Sequence, residues 1–273
     1  MVQTVGNPKN EGMSFWEHLD ALRTSLIKMA VAAVLCSIVA FIFKGEVFSV
    51  VLAPKNDTFI TYSLFNQISE WVTKENESGF SVKLINTGLA EQFVVHMKVS
   101  VYIGFLLSSP YTLYLLFHFI SPALYANEKK YSLRVAGSGY VMFILGLLLG
   151  YFLIFPLTFR FLGTYQVSGD VVNMITLQSY METLLLMCAW MGILFELPVL
   201  CWLLAKMGLL SVGFMKRFRK HAIVVILIIA AIITPTSDIF TMSLVALPIW
   251  LLYEVSIWIV KNSTKKYEIT IAA

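Results

Sequence analysis

The stretch Leu133-Arg-Val-Ala-Gly-Ser-Gly-Tyr-Val-Met-Phe-Ile-Leu-Gly-Leu-Leu-Leu-Gly-Tyr-Phe-Leu-Ile-Phe155 decides the fold. From Val135 to Phe155 it carries no charge, and it exceeds the roughly 20 residues needed to cross about 30 Å of hydrocarbon. The bilayer core offers no partner to backbone N–H and C=O groups, so a run of this kind must be helical. Gly137, Gly139, Gly146 and Gly150 give it a small-residue face suited to close helix packing. Pro156 stands near its end.

Similar runs lie on either side. They cover about Ser25 to Phe43, Phe93 to Phe119 (interrupted by Pro110), Ser179 to Lys206 (with Pro198 inside) and Ile239 to Val260. A further run, His221 to Thr234, is only about 21 Å long at the helical rise per residue. Such a helix is either extended at one end by snorkelling Arg219 and Lys220 or sits in a thinned patch of membrane. The expectation is an all-α integral membrane protein with six transmembrane helices and a short fifth span. Composition agrees: 58% of the chain is hydrophobic, 13% is charged, and the mean hydropathy is +0.78. Soluble domains average about 25% charged residues. The runs are continuous and do not alternate apolar with polar, which excludes a barrel.

Three regions follow: a cytoplasmic segment at 1–23, a membrane domain at 24–260 and a cytoplasmic tail at 261–273. Residues from about 44 to 91 form an external loop, too long for a tight turn and expected to hold some helix of its own. The polar first segment lacks the pattern of a cleaved signal peptide. Orientation comes from Lys and Arg in the loops. One set of loops holds Lys9, Arg23, Lys28, Lys129, Lys130, Arg134, Lys206, Lys216, Arg217, Arg219, Lys220, Lys261, Lys265 and Lys266. The other holds only Lys44, Lys55, Lys74, Lys83 and Arg160, with Lys98 just inside the second span. The basic loops belong inside, which places both chain ends in the cytoplasm.

A carboxylate within the bilayer costs at least a few kcal/mol, so buried acids are the first functional candidates. Glu196 lies deep in the fourth span, and Glu182 precedes it by close to four helical turns, on the same face. Gln178 begins that polar stripe, with Ala189 and Gly192 near it. The stripe predicts a face turned to protein or water. The plainer reading has Glu196 tending a carbonyl freed by Pro198. Glu254 is expected to snorkel at the inner end of the last span, and Asp238 to sit at the outer surface after a proline turn. At the inner surface, Ser14-Phe-Trp-Glu17 is a capping box before Phe15, Leu19 and Leu22, predicting a short surface helix with Glu17 and Asp20 on its wet face. Glu128 stands beside Lys129 and Lys130 in the next inner loop.

No enzyme motif stands out. His18, His96, His118 and His221 fall at different depths, and Cys36, Cys188 and Cys201 form no CxxC pair. Neither a metal site nor a cofactor is implied. The basic residues sit in short loops and do not suggest nucleic-acid binding.

Several strings together resemble the TatC family, the receptor subunits of the twin-arginine protein translocase. His18-Leu-Asp-Ala-Leu-Arg23 is similar to the family's HLxELR, and Phe119-Ile-Ser-Pro-Ala-Leu-Tyr-Ala-Asn-Glu128-Lys to its FxxPALYxxE loop. Phe152-Leu-Ile-Phe-Pro156, Phe195-Glu-Leu-Pro198, Thr234-Pro-Thr-Ser-Asp238 and Leu247-Pro-Ile-Trp-Leu-Leu-Tyr-Glu254 follow in family order. The resemblance spans about residues 13 to 260. It implies a cupped six-helix bundle in a bacterial inner membrane that is a receptor and not an enzyme. It further implies binding of twin-arginine signal peptides of folded precursors, and assembly with TatA, TatB and other copies of itself for export driven by the proton-motive force. By position, Phe119 and Glu128 match the recognition loop, and Asp20, Glu17 and Arg23 the N-terminal part of the site. Glu196 matches an intramembrane glutamate tied to partner contact, and Asp238 a periplasmic-end acid. Ala21 stands where the family has a glutamate, whose task passes to Asp20 or Glu17 or is missing. Met242 stands where a glutamine often contacts a partner helix. The rival class is a proton-coupled secondary transporter of a small solute, with Glu182 and Glu196 as the proton path. The chain lacks the inverted repeat such folds usually show.

Overall fold

The computed structural model describes residues 15–65, 82–120, 132–168, 173–236 and 238–272. The elements are α1 (Phe15–Ile42), α2 (Lys44–Val51), α3 (Glu91–Ile120), α4 (Ser132–Leu149), α5 (Phe155–Thr164), α6 (Leu177–Leu194), α7 (Leu197–Lys206), α8 (Val212–Arg217), α9 (Arg219–Ile233) and α10 (Ile239–Ala272). A π-helical segment, Gly150–Ile154, joins α4 to α5. A two-residue parallel ladder, Leu84 to Ile175 and Ile85 to Thr176, ties the 44–91 connection to the start of α6. Among the described residues the regular structure is otherwise helical.

Five stretches are long and apolar enough to cross a membrane: Leu19–Ile42, Glu91–Phe119, Val135–Thr164, Leu177–Lys206 and Ile239–Asn262. The short run resolves into α9, whose 15 residues reach about 22 Å. The expected capping-box helix is not separate. No Gly or Pro interrupts residues 15–42, so the helix runs unbroken from Phe15 into the first span.

Prolines mark the other departures. The third span, expected over about Leu133 to Phe155 with Pro156 near its end, continues past that proline to Thr164. Proline leaves the carbonyl four residues back without its helical donor, and here Thr61 donates its hydroxyl to that Phe152 carbonyl. Pro110 is likewise accommodated inside α3, because the Ser109 hydroxyl donates to the freed Leu106 carbonyl at 2.6 Å. At Pro198 no side chain among the described residues makes such a repair, and the fourth span divides at Phe195–Glu196 into α6 and α7.

The 44–91 connection does carry helix, namely α2, a 3-10 turn at Ala53–Lys55 and residues 60–65. It is held by tyrosines, whose hydroxyls satisfy carbonyls that a helix end leaves without donors. Tyr151 donates to the Val50 carbonyl (2.6 Å), Tyr180 to that of Val51 (3.1 Å) and Tyr62 to that of Pro54 (3.0 Å).

The span Leu177–Lys206 is the most buried of the five and α1 the least, and α6 is the hub of the core. Its Tyr180, Leu184, Met187 and Met191 share one core with Val95 and Val99 of α3, Ile226 and Ile233 of α9, and Val245 and Ile249 of α10. Helix α1 packs chiefly along α3, and its Leu26, Val31, Val34, Leu35, Ile38 and Ile42 stay exposed. A continuous apolar surface of this kind is stable only against lipid or another protein.

Small residues set the closest approaches. A Cβ at Gly104 would stand 2.5 Å from the backbone N of Ser37 and 2.6 Å from its Cα, so only glycine lets α1 lie this near α3. Gly139, Gly146 and Gly150 pack as the sequence suggests, but Gly137 has open space beside it. Two residues along a helix rotate by about 200°, so Gly137 and Gly139 cannot share a face.

Candidate functional site

Polar chemistry collects at three levels. At the end of the bundle bearing the 44–91 connection, Lys98 of α3 pairs with Glu182 of α6 at 2.6 Å, and Gln178 donates to the same carboxylate oxygen at 3.0 Å. Both charged side chains are about half exposed. Beside them, Glu91 at the start of α3 accepts from the backbone N–H groups of Thr87 and Gly88 (both 2.9 Å) and of Gln178 (3.1 Å). One carboxylate thereby joins the starts of α3 and α6. Next to this group, a cavity of about 410 Å³ is lined by Gln178, Glu182 and Thr183 with Ile233 and Pro235 from the end of α9.

Asp238 caps α10. It accepts from the Thr241 N–H (2.8 Å), the Thr236 hydroxyl (2.5 Å) and the Thr241 hydroxyl. Burial works against its ionisation, but these donors outweigh it and hold its carboxyl below the usual aspartate range.

In the middle of the bundle, Glu196 is 8% exposed at the break between α6 and α7. A Cβ on Gly139 would stand 3.0 Å from its Oε2 and 2.8 Å from the Phe117 ring, so α4 and α3 both close over the carboxyl group. Neither oxygen has a hydrogen-bond partner among the described residues. The reading in which Glu196 tends the carbonyl freed by Pro198 is therefore corrected, since its side chain donates to no backbone group. Glu182 turns toward α3 and meets a cation, whereas Glu196 turns toward the bare Gly139 of α4, beside the Phe117 ring of α3.

At the opposite end, α1 and α3 lie antiparallel. His96 meets the Phe41 carbonyl at 3.2 Å, and Gly104 lies against Ser37. The same register brings the C-terminal turn of α3, with half-buried Phe119, to the N-terminal end of α1, with exposed Asp20 and Arg23. Glu17 lies in the first turn of α1. Glu128 and the rest of the loop 121–131 lie outside the described residues. Nearby, Glu254 does not simply snorkel: Arg219 binds it at 2.6 Å, because the start of α9 and the later turns of α10 are brought together.

Sequence reasoning missed the roles of Lys98, Glu91 and Arg219. Lys98 and Glu182 each lie a short way inside the same end of a span, and that equal depth was the available signal. For Glu91 the signal was Thr87, four residues upstream and just before an apolar run. For the pairing of Arg219 with Glu254 no local signal exists.

Long apolar helices with lipid-like exteriors, polar clusters at both ends and an acid enclosed mid-span define a multi-pass membrane protein. A family model described as Sec-independent protein translocase protein (TatC) matches residues 17–248. The chain is 35% identical over 265 residues to the TatC protein of Blattabacterium sp. subsp. Periplaneta americana, covering 95% of this chain and 99% of that one. It is 31% identical to the TatC protein of Carboxydothermus hydrogenoformans, covering 93% and 95%. A crystal structure of the twin-arginine translocase receptor TatC superposes with a TM-score of 0.72 at 32% identity, covering 90% of this chain and 99% of that one. The chain belongs to the TatC family, whose members are components of a protein translocase.

Proposed function

We propose that the chain is the receptor subunit of a twin-arginine translocase in a bacterial inner membrane. In this reading it has six spans, counting α9, in a cupped bundle with both ends in the cytoplasm. The loop distribution of Lys and Arg supports that orientation. It binds the twin-arginine signal peptides of folded precursors, then assembles TatA, TatB and further copies of itself for transport driven by the proton-motive force.

The observation that carries this reading is the antiparallel pairing of α1 with α3. It gathers Asp20, Arg23 and Phe119 at one end, and the sequence that follows α3 directly, residues 121–131, contains Glu128. A pair of arginines calls for carboxylates in fork geometry, and Glu128 with Glu17 and Asp20 supplies them at a single surface. Partner helices meet the α6–α7 region near Glu196, Glu182 and Gln178. The Glu196 carboxyl is covered, so the first contact falls on its exposed neighbours Ile193 and Leu200.

The test is photo-cross-linking from position 128 to a precursor carrying the arginine pair, alongside the same precursor with two lysines. We expect the cross-link only with arginines, and loss of export in Glu128→Ala with the protein still inserted. Charged pairs that are well desolvated cost about 2–5 kcal/mol when one partner is truncated. Wild-type precursor binding by Glu128→Ala would sink the assignment. Glu17→Ala and Asp20→Ala should each weaken export, and together abolish most of it; a normal double variant leaves this segment as an anchor only.

A further inference from the structure

The turn between α8 and α9 carries a patch that the receptor reading does not use. Ser211 caps α8 by accepting from the Phe214 N–H at 3.2 Å. One side of the turn is fixed: Met215 is 3% exposed among Ile257, Val260 and Leu210. Two consecutive residues of α10 clamp it there. Tyr253 donates to the Met215 carbonyl at 2.8 Å, and Glu254 binds Arg219.

With Met215 turned inward, Phe214, Lys216, Arg217, Phe218 and Lys220 are all exposed. Phe214 and Phe218 stand side by side, their ring centroids 4.5 Å apart. Arg219 takes up Glu254, and Lys216, Arg217 and Lys220 have no acidic partner among the described residues. Lys216 and Arg217 are adjacent in the chain and Lys220 lies three residues on, and like charges so gathered repel one another until a counter-charge from outside the chain offsets them. Adjacent exposed aromatics require an apolar medium at the same level. An interface offering both at once is a bilayer surface with anionic headgroups.

We propose that this turn is a docking site for anionic phospholipids, with Lys216, Arg217 and Lys220 on the headgroup phosphates and Phe214 and Phe218 among the upper acyl carbons. The proposal rests on the orientation given above, which puts the turn on the inner leaflet. The shortness of α9 keeps it at the hydrocarbon boundary. The clamp from Tyr253 and Glu254 means the patch is preformed, so binding orders lipid and not protein.

The test uses the full-length protein in nanodiscs of phosphatidylcholine and phosphatidylglycerol in equal amounts, with the lipids retained after mild detergent exchange counted by native mass spectrometry. Each cation near an anionic surface is worth about fivefold in occupancy, so the wild type should retain phosphatidylglycerol in clear excess. Replacing Lys216, Arg217 and Lys220 together by Gln should remove the excess, and exchanging Lys for Arg at 216 and 220 should keep it. Equal retention of the two lipids by the wild type overturns the proposal, whether or not the triple variant folds. So does displacement of the lipid by inorganic phosphate alone, which marks a simple anion site. Labelling of Leu209→Cys by an impermeant maleimide from outside the cell would overturn the orientation and the proposal with it. Loss of signal-peptide binding in the same nanodiscs would count against the receptor reading alone.

Discussion

Replacing Gly104 by Ala adds a single methyl group at the tightest crossing between α1 and α3. The new Cβ would lie 2.5 Å from the Ser37 N and 2.6 Å from the Ser37 Cα, besides meeting the Ser37 hydroxyl. The hydroxyl can rotate away, but backbone atoms cannot, so the helices must separate by about 1 Å to restore van der Waals distance, and overpacking of this kind costs about 1–3 kcal/mol. A chain of this size loses about 2–4 °C of melting temperature per kcal/mol. Gly104→Ala should therefore melt several degrees below wild type in detergent, as followed by loss of monodispersity on heating. Adding Ser37→Gly should recover only part of the loss, since the clash with the backbone at position 37 remains. Gly137→Ala is the control in α4: its Cβ meets nothing within 4 Å, and Ala is the better helix former by about 0.5–1 kcal/mol. It should melt at or above the wild-type temperature. Equal melting of Gly104→Ala and Gly137→Ala would refute the reasoning, because it would mean α1 is not held at this distance from α3. A displaced α1 also moves Asp20 and Arg23 relative to Phe119, so Gly104→Ala should weaken signal-peptide binding while Gly137→Ala does not.

Ser109→Ala strips the donor from the Leu106 carbonyl freed by Pro110, leaving a partly buried acceptor unpaired at a cost of about 1 kcal/mol; restored stability in a Ser109→Ala, Pro110→Ala double variant would confirm the cause. Glu196→Gln keeps the shape packed against Gly139 and Phe117, so folding and export should survive. Glu196→Ala should reduce cross-linking from position 200 to TatA or TatB with signal-peptide binding intact, and unchanged cross-links with normal export would leave Glu196 without a partner role. Asp238→Ala removes the cap of α10 and should cost about 0.5–2 kcal/mol in a melt at neutral pH. Because hydrogen bonding lowers the Asp238 pKa on folding, its contribution is fully present above the unfolded aspartate value and fades as pH falls through the folded one. The gap between wild type and Asp238→Ala should therefore narrow in acid, and a gap that widened there would reverse the sign of the shift.

The sequence by itself determined the helices and most of their limits. Whether a run can cross a bilayer is a local property of its length and its lack of charge, so the second span, the short α9 and the end of the first span were legible within a residue or two, while the start of α1 lies ten residues earlier than its apolar run. The recognition strings, too, were legible one after another. Only the tertiary structure decided which sides of those helices meet. Helices such as α3 and α4 are apolar all round, because lipid and protein interior are equally free of water, and no polar face marks the outward side. Hence Gly137 could not be told from Gly139, nor the covered Glu196 from an exposed one. The same limit applies to backbone repair. Ser109 mends Pro110 from the adjacent position, yet the hydroxyl that lets α5 continue past Pro156 comes from Thr61, on a distant part of the chain. Lys98 with Glu182 and Arg219 with Glu254 are likewise pairs between separate helices. Charge and depth along one helix say that a partner is needed. Only the packing of α3 on α6, and of α9 on α10, says which residue it is.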